Sequence, residues 1–224
     1  MAQVEKLVVG QNKILHLNAR PDNLPTAIPV KADQDLVRVE QFLVTQNKQR
    51  GDVHYHFSLI PQFKGKTAMV LQYANGDVLQ IVFEIEEAQK VAITGSRDER
   101  IEEAKKALRA ADDFWANRTS ARATLRNAYL KYEEALRIMG SVELGQNLDE
   151  YKQAKAGMEL ARSEIEGQRV EIEKKFGQSE RREDWAGAQQ LLEEMLELRL
   201  GNNDLIYLKN KTIMEYRYGR TVTE

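Results

Sequence analysis

Residues 69–108 read MVLQYANGDVLQIVFEIEEAQKVAITGSRDERIEEAKKAL, and the spacing of the hydrophobic residues changes within this stretch. Up to about residue 87 the hydrophobic residues recur at every second position. From Ile101 onward they recur every three or four positions. The first spacing is typical of a strand with one buried face, and the second of an amphipathic helix. The stretch therefore predicts the boundary between a β-rich domain and an all-helical one.

The residues before this boundary predict a β-domain over residues 1–90. All four prolines lie within the first 61 residues, which is typical of loop-rich β structure. Asn75-Gly76 predicts a hairpin with a type I′ turn between two of the strands. Six short strands at this spacing favour an immunoglobulin-like β-sandwich. The predicted strands are Val4–Val9, Lys13–Leu17, Leu36–Val44, Val53–Ile60, Thr67–Tyr73 and Val78–Ile85.

The residues after the boundary predict a repeat-like, all-helical domain over residues 96–220. Ser96 and Glu99 have the spacing of a capping box, and Asn147 with Glu150 predicts a second cap. Short connections favour antiparallel neighbours in a bundle. The later helices are predicted at 121–139, from about 147, at 184–200 and at 203–218. The third helix carries a seam of hydrophobic residues, which either packs inside the bundle or pairs with the same helix of a second copy of the chain. The seam is interrupted at Gly167-Gln168, which favours packing inside the bundle. The seam comprises Tyr151, Ala154, Met158, Ala161, Ile165 and Ile172.

Composition excludes several classes of function. The chain has 42% hydrophobic and 30% charged residues, a net charge of −2 and no cysteine. The balanced charge disfavours nucleic-acid binding, which requires a basic surface. The absence of cysteine excludes thiolate metal sites, disulfides and a cysteine nucleophile. No stretch is apolar enough to span a bilayer, so we expect no membrane insertion. The opening MAQVEKLVVGQNK is unlike a signal peptide, which predicts a cytoplasmic protein, or a periplasmic or envelope protein if a signal peptide has been removed.

The histidines are the residues best suited to carry chemistry. His54 and His56 lie two apart in a predicted strand, so they share a face, and His16 can join them from a neighbouring strand. Histidines at this spacing can chelate a metal, which gives the alternative hypothesis of a metal-dependent hydrolase. They are equally well explained as tolerated positions on a half-exposed sheet. No carboxylate partner is evident, so we predict no catalytic residue, no metal and no cofactor.

The last predicted helix combines tyrosines with basic residues. Tyrosine and arginine are enriched where proteins bind each other. The composition of this helix therefore predicts a surface that binds a partner protein, rather than a plain capping helix. The predicted surface contains Tyr207, Tyr216, Arg217 and Tyr218.

Two segments of the helical half resemble the second helix of a tetratricopeptide repeat. In AYLKYEEALRIMG, Ala128, Tyr132 and Ala135 have that repeat's small–large–small spacing. In WAGAQQLLEEMLELRLGNN, Ala188 and Leu192 occupy the first two of these positions and Met195 the third. The two segments lie 60 residues apart rather than at a multiple of the 34-residue repeat, so a generic antiparallel bundle is the other interpretation.

The β half resembles small β-domains of bacterial envelope machines, namely the N-terminal domains of pilus-type secretins and the outer-ring proteins of type IV secretion and conjugation systems. The likeness rests on Val9-Gly10-Gln11, on residues 35–39 (DLVRV) and on residues 56–85, which end in the Asn-Gly hairpin. It implies a structural part of an envelope assembly and transfers no catalytic residues.

Together these features predict a non-enzymatic scaffold. Its partners are expected to be other proteins, bound by the helical domain and by a β-edge, with homo-oligomerisation left open.

Overall fold

A computed structural model of the chain describes residues 2–19, 33–47, 50–88, 93–201 and 203–222. Strands form the N-terminal part and helices the C-terminal part, as the hydrophobic spacing predicts. The chain divides into two compact units, and we name them by their content. The β unit comprises residues 1–90 and 202–224, and the helical unit comprises residues 91–201. The prolines at 21, 25 and 29 lie outside the described residues.

The described part of the β unit contains two three-stranded sheets. One has the order β1-β6-β5, in which β1 runs parallel to β6 and β5 antiparallel to it. The other has the order β2-β4-β3 and is antiparallel throughout. The strands are β1 Ala2–Val8, β2 Lys13–Ala19, β3 Val37–Gln46, β4 Val53–Pro61, β5 Gly65–Gln72 and β6 Val78–Glu86.

Both sheets contribute to one hydrophobic core. The central strands supply its largest fully buried side chains, Phe57 and Leu59 from β4 and Ile81 and Phe83 from β6. These residues alternate along their strands, so one face of each sheet is buried while the other carries polar residues. The recurrence of hydrophobic residues at every second position is therefore explained by the shared core that these side chains fill.

The connection between β5 and β6 is a hairpin, as predicted, but its turn differs from the type I′ prediction. The Gly76 amide donates to the Tyr73 carbonyl at 3.0 Å, and Gly76 has φ of 87°. Asn75 has no positive φ, whereas a type I′ turn needs positive φ at both central residues. The Asn75 side chain instead accepts from the Asp77 amide at 3.0 Å, which stabilises a longer turn.

The helical unit contains four α-helices. The predicted capping box is confirmed, because Ser96 and Glu99 accept from each other's backbone amides. The second predicted cap is wrong: α3 follows Leu148, which makes no side-chain cap, and Asn147 ends a short 3₁₀ turn instead. The helices are α1 Arg97–Ala116, α2 Arg122–Gly140, α3 Asp149–Arg181 and α4 Trp185–Glu197.

Fully buried alanines line the contacts between these helices. Each helix packs mainly against its neighbours in sequence, and the absence of a large side chain at an alanine lets two helix backbones approach closely. The Tyr132 hydroxyl fills a gap between them and donates to Asp112 at 2.7 Å. The buried alanines are Ala104, Ala111, Ala128, Ala135, Ala154, Ala161 and Ala188.

The seam of α3 is buried inside the bundle, which confirms the intramolecular interpretation. Ala154, Ala161, Ile165 and Ile172 all belong to the core of the helical unit. Arg169 is also buried, and its guanidinium donates to the Leu198 carbonyl at 2.6 Å. That hydrogen bond satisfies a carbonyl at the end of α4, where the helix itself offers no donor.

Two glycines of α3 are expected to respond to alanine with opposite signs. A β-carbon at Gly157 would lie 2.5 Å from Cζ of the buried Tyr132, whereas one at Gly167 would meet nothing within 4 Å. We expect Gly157→Ala to lower the free energy of unfolding of the helical unit by about 1–3 kcal/mol through overpacking. We expect Gly167→Ala to raise it by about 0.5–1 kcal/mol through helix propensity.

Urea unfolding followed by tryptophan fluorescence measures this difference, since both tryptophans, Trp115 and Trp185, lie in the helical unit. Stabilisation by Gly157→Ala would contradict the close contact of α3 with Tyr132.

The last helix belongs to the β unit, although the helical period of the sequence predicts a helical domain that extends to residue 220. It comprises α5, Leu205–Thr212, followed by a π-helical turn, Ile213–Arg217. Its hydrogen-bond partners include Asn47 of the β unit. A helical period predicts a helix but does not indicate which core will cover its buried face.

Candidate functional site

The structure brings all three histidines of the chain together on one face of the β2-β4-β3 sheet. In the register of β2 with β4, His16 lies directly opposite His56, and Asn18 lies opposite His54. Directly opposed residues project to the same face of a sheet, and so do residues two apart in one strand. The prediction that His16 joins His54 and His56 is therefore confirmed.

Two of these histidines form a closed hydrogen-bonded pair. Nδ1 of His16 lies 2.8 Å from Nδ1 of His56, and Nε2 of His56 lies 2.7 Å from the Thr45 hydroxyl. His56 and Thr45 are completely buried. Both ring nitrogens of His56 are thus occupied by protein partners. Thr45 was not foreseen from the sequence, because it comes from β3 and no local pattern links it to the histidines.

Tyr216 covers the histidines from the π-helical turn. Its ring stacks on His16 with a centroid distance of 4.5 Å and meets the rings of His54 and His56 edge-on at 4.9 Å each. The Asn47 side-chain amide donates to the Tyr216 carbonyl at 3.2 Å. We call His16, His54, His56, Thr45 and Tyr216 the histidine cluster.

Burial keeps the histidine cluster neutral. Desolvation, followed by the nearby histidines, lowers the pKa of His56 to about 3 and that of His16 to about 4. Desolvation also lowers the pKa of His54, against the opposing effect of the Asp52 carboxylate. At neutral pH an imidazole with so low a pKa does not protonate a substrate, which argues against general acid catalysis by His16 or His56.

The geometry does not suit a metal centre. Within the described ranges, no group of three His, Cys, Asp or Glu side chains is arranged to hold a metal ion. His56 has both ring nitrogens in contact with protein partners, His16 and Thr45, so neither is directed at an ion. The hydrolase hypothesis based on His54 and His56 therefore lacks a ligand set in these residues.

A shallow depression of about 430 Å³ opens beside His54. Arg50, Asp52 and Glu215 contribute charges of both signs to its wall. Nothing in its lining combines a nucleophile with a base, so its geometry supports no particular reaction.

The residues predicted to form a partner surface lie largely inside the β unit. Tyr207 and Tyr218 are only 5% and 8% exposed, and Tyr216 covers the histidine cluster. Arg217 is half-buried. The tyrosines here pack against the protein itself, and composition alone does not distinguish this role from an exposed binding surface.

A line of exposed, uncharged residues lies on the outer face of α3. Five exposed residues follow one another at steps of four, three, four and three, so they form one line along the helix. Leu160 is 58% exposed and Val170 is 68% exposed. We call this line the α3 stripe, and it consists of Ala156, Leu160, Ser163, Gly167 and Val170.

Glutamates border the α3 stripe on both sides. Glu166 pairs with Arg162 at 2.9 Å and Glu164 with Arg118 at 2.9 Å, while Glu171 lies 3.4 Å from Lys175. These are exposed or half-exposed ion pairs, which contribute little to stability and can exchange partners. The bordering residues are Glu159, Glu164, Glu166, Glu171 and Glu173. The stripe was not predicted from the sequence, because the heptad-like spacing of α3 indicates its buried seam and not which outer residues stay uncovered.

No helix within the described ranges is both long and apolar enough to cross a membrane.

Comparison with known proteins shows little similarity. No family model matches the chain. No curated protein matches it either. A solved structure of the cysteine protease inhibitor EhICP2 from Entamoeba histolytica resembles part of it, with 15% sequence identity and a TM-score of 0.26. The match covers 38% of this chain and 96% of the inhibitor. At this TM-score the likeness supports no conclusion about the fold or function of the chain.

Proposed function

We propose that this protein is a non-catalytic interaction and assembly component that binds a partner helix through the α3 stripe. The observation that carries the proposal is the exposure of Leu160 and Val170 on a line otherwise made of small residues. Large exposed side chains in such a line offer hydrophobic area to a partner, and the small residues let a second helix approach closely. The closed histidine cluster, by contrast, offers no reacting group.

The glutamates along the α3 stripe define the chemistry of the partner. In a helix pair, the residues that border the seam face the bordering residues of the other helix. A second copy of α3 would place glutamate opposite glutamate in either orientation, which is destabilising. The complementary partner is an amphipathic helix whose apolar seam is bordered by lysine and arginine. We therefore propose a heterotypic complex at this surface.

Finer assignments belong to the same proposal. We propose that the two three-stranded sheets around one core form an immunoglobulin-like sandwich. We also propose that the helices form a tetratricopeptide-like array, on the small–large–small spacing of the buried Ala128, Tyr132 and Ala135. A bacterial secretion or conjugation complex in the cell envelope is the assembly that we propose, on the resemblance of the β half. The periplasm or envelope would then be its compartment.

Charge placed in the α3 stripe is expected to abolish partner binding. We expect Leu160→Glu combined with Val170→Glu to weaken the complex at least about 30-fold, the effect of losing about 2 kcal/mol of apolar contact at a binding surface. The full chain serves as bait for extracts of its native host, and the partner so identified is then titrated against wild type and variant by calorimetry.

Val78→Glu provides the matched control, because Val78 is 59% exposed but lies in the β unit. It should leave the affinity unchanged. Equal binding by the stripe variant and the control would remove the α3 stripe as the binding surface. Recovery of envelope-machine components would support the proposed assembly, and a partner from another compartment would contradict it.

A further inference from the structure

A strap, defined as residues 203–218, lies on the outer face of the β2-β4-β3 sheet, and hydrogen bonds near both of its ends join it to the connections that flank the strands of this sheet. At one end, the Asn203 side chain donates to the Gly10 carbonyl at 2.6 Å, and the Asn12 side chain donates to the Asn203 carbonyl at 2.8 Å. At the other end, Asn47 donates to the carbonyl of Tyr216 at 3.2 Å.

The surfaces that meet beneath the strap are unusually polar. Of the six buried polar or charged residues in the described ranges, two are in the strap and three lie on the face of the sheet that carries the histidines. These five are Thr45, His56, Ser58, Asn210 and Thr212. His54 Nδ1, Ser58 Oγ and Asn210 Nδ2 are buried and have no hydrogen-bond partner among the described residues. Each unpaired polar atom costs roughly 1–3 kcal/mol while it is kept from water.

The hydrophobic core of the β unit does not depend on the strap. Its buried cluster runs from Leu7 to Ile85 and contains no strap residue. Removal of the strap would hydrate a polar sheet face and expose the strap's own buried Ile213 and Met214, but it would leave this core covered on both sides by its own strands.

From these observations we infer that the strap is a releasable cover, which acidification below about pH 6 detaches from the sheet while the core of the β unit remains folded.

The trigger is the hydrogen bond between His16 and His56. Two imidazole nitrogens 2.8 Å apart share one proton, so one ring donates and the other accepts. Protonation of both rings would direct two N–H groups at each other and place two like charges side by side where water is largely excluded. Release of the strap lets water enter, after which the rings can separate and each can bind a proton.

Charged and titratable groups surround the cluster unevenly. His54 in β4 has Asp52 nearby, and Glu215 of the strap and Arg50 of the β3–β4 connection line the same depression. The described charges that act on His16 and His56 are those of other histidines. Tyr216 stays neutral, since burial and Glu215 raise the pKa of its phenol. Proton uptake is therefore centred on the His16–His56 pair.

The size of the pH effect on strap release follows from the difference in proton binding between the covered and the released state. Under the strap, the pKa is about 4 for His16 and about 3 for His56. Both pKa values return toward about 6.5 once water reaches the rings. Uptake of up to two protons between pH 7 and pH 5 then favours release by about 100-fold or more.

Hydrogen exchange of the full chain at pH 7, 6 and 5, corrected for intrinsic exchange rates, tests the inference. The opening constant of strap amides between Leu208 and Arg217 should rise about 100-fold from pH 7 to pH 5. Amides of β4 and β6 should stay better protected than those of the strap at every pH, because they exchange only when the core itself opens. The helical unit contains no histidine, so its amides provide an internal control.

Unchanged strap protection down to pH 5 would overturn the inference, and so would equal opening constants in the strap and in β4 and β6, which would show that they open as one unit. His56→Gln, which can still hydrogen-bond Thr45, should reduce the pH response by about tenfold or more. If this variant does not fold, the wild-type exchange pattern still decides the question. The outcome is independent of whether the α3 stripe binds a partner.

Discussion

Replacing Phe57 by alanine is expected to lower the free energy of unfolding of the β unit by about 3–5 kcal/mol, which is a large share of the stability of a domain this size. Phe57 is completely buried at the centre of β4, between the strands β2 and β3, and belongs to the core that both sheets share. Its loss removes apolar contacts on that face and leaves a cavity that rigid flanking strands cannot fill.

Exchange of the slowest amides of β4 and β6 reports this free energy for the β unit alone. Phe63→Ala is the matched control: the same change at a side chain that is 62% exposed should alter stability by no more than about 0.5 kcal/mol. The tryptophan fluorescence of the helical unit should respond to neither change. Equal effects of the two substitutions would contradict a core centred on Phe57.

Acidification from pH 7 to pH 5 is expected to lower the free energy of unfolding of the β unit by about 2–3 kcal/mol. The folded pKa values of His16 and His56, about 4 and about 3, lie below the value of about 6.5 for an unfolded chain. Between these limits the unfolded state binds more protons. The stabilisation is therefore fully present above about pH 6.5 and is lost as the pH falls toward 4.

Each pKa unit corresponds to about 1.4 kcal/mol. The expected loss is smaller than the full shifts imply because pH 5 still lies above both folded pKa values, and because the two histidines titrate as a pair. Denaturant unfolding at both pH values measures the total free energy of unfolding of the β unit, whether the strap and the strands unfold together or in sequence. A double change, His16→Gln with His56→Gln, should flatten the pH dependence. An unchanged free energy of unfolding in the wild type at pH 7 and pH 5 would show that the pair is not buried.

Local chemistry made several parts of the fold predictable. The change of hydrophobic period separated strands from helices, because burial of one face imposes a spacing of two on a strand and of three to four on a helix. Ser96 and Glu99 were predictable as a cap because a capping box joins only neighbouring residues. The Asn75-Gly76 hairpin was predictable in position, although the turn needed positive φ at Gly76 alone.

Non-local contacts decided the parts that were predicted differently. Tyr207, Tyr216 and Tyr218 have the composition of a binding surface, yet in the structure they pack within the β unit. Asn147 and Glu150 have the spacing of a capping box, but the residue at the N-cap of α3 is Leu148.

By itself, the sequence determined the order and type of the secondary-structure elements and the buried face of α3, since these depend on interactions between residues close together in the chain. Only the tertiary structure decided that the last helix belongs with the strands, that Thr45 and Tyr216 enclose the three histidines, and that Leu160 and Val170 are exposed on one line. The physical reason is that burial and hydrogen bonding depend on surfaces brought together from distant parts of the chain, and His16 and Tyr216 meet across 200 residues.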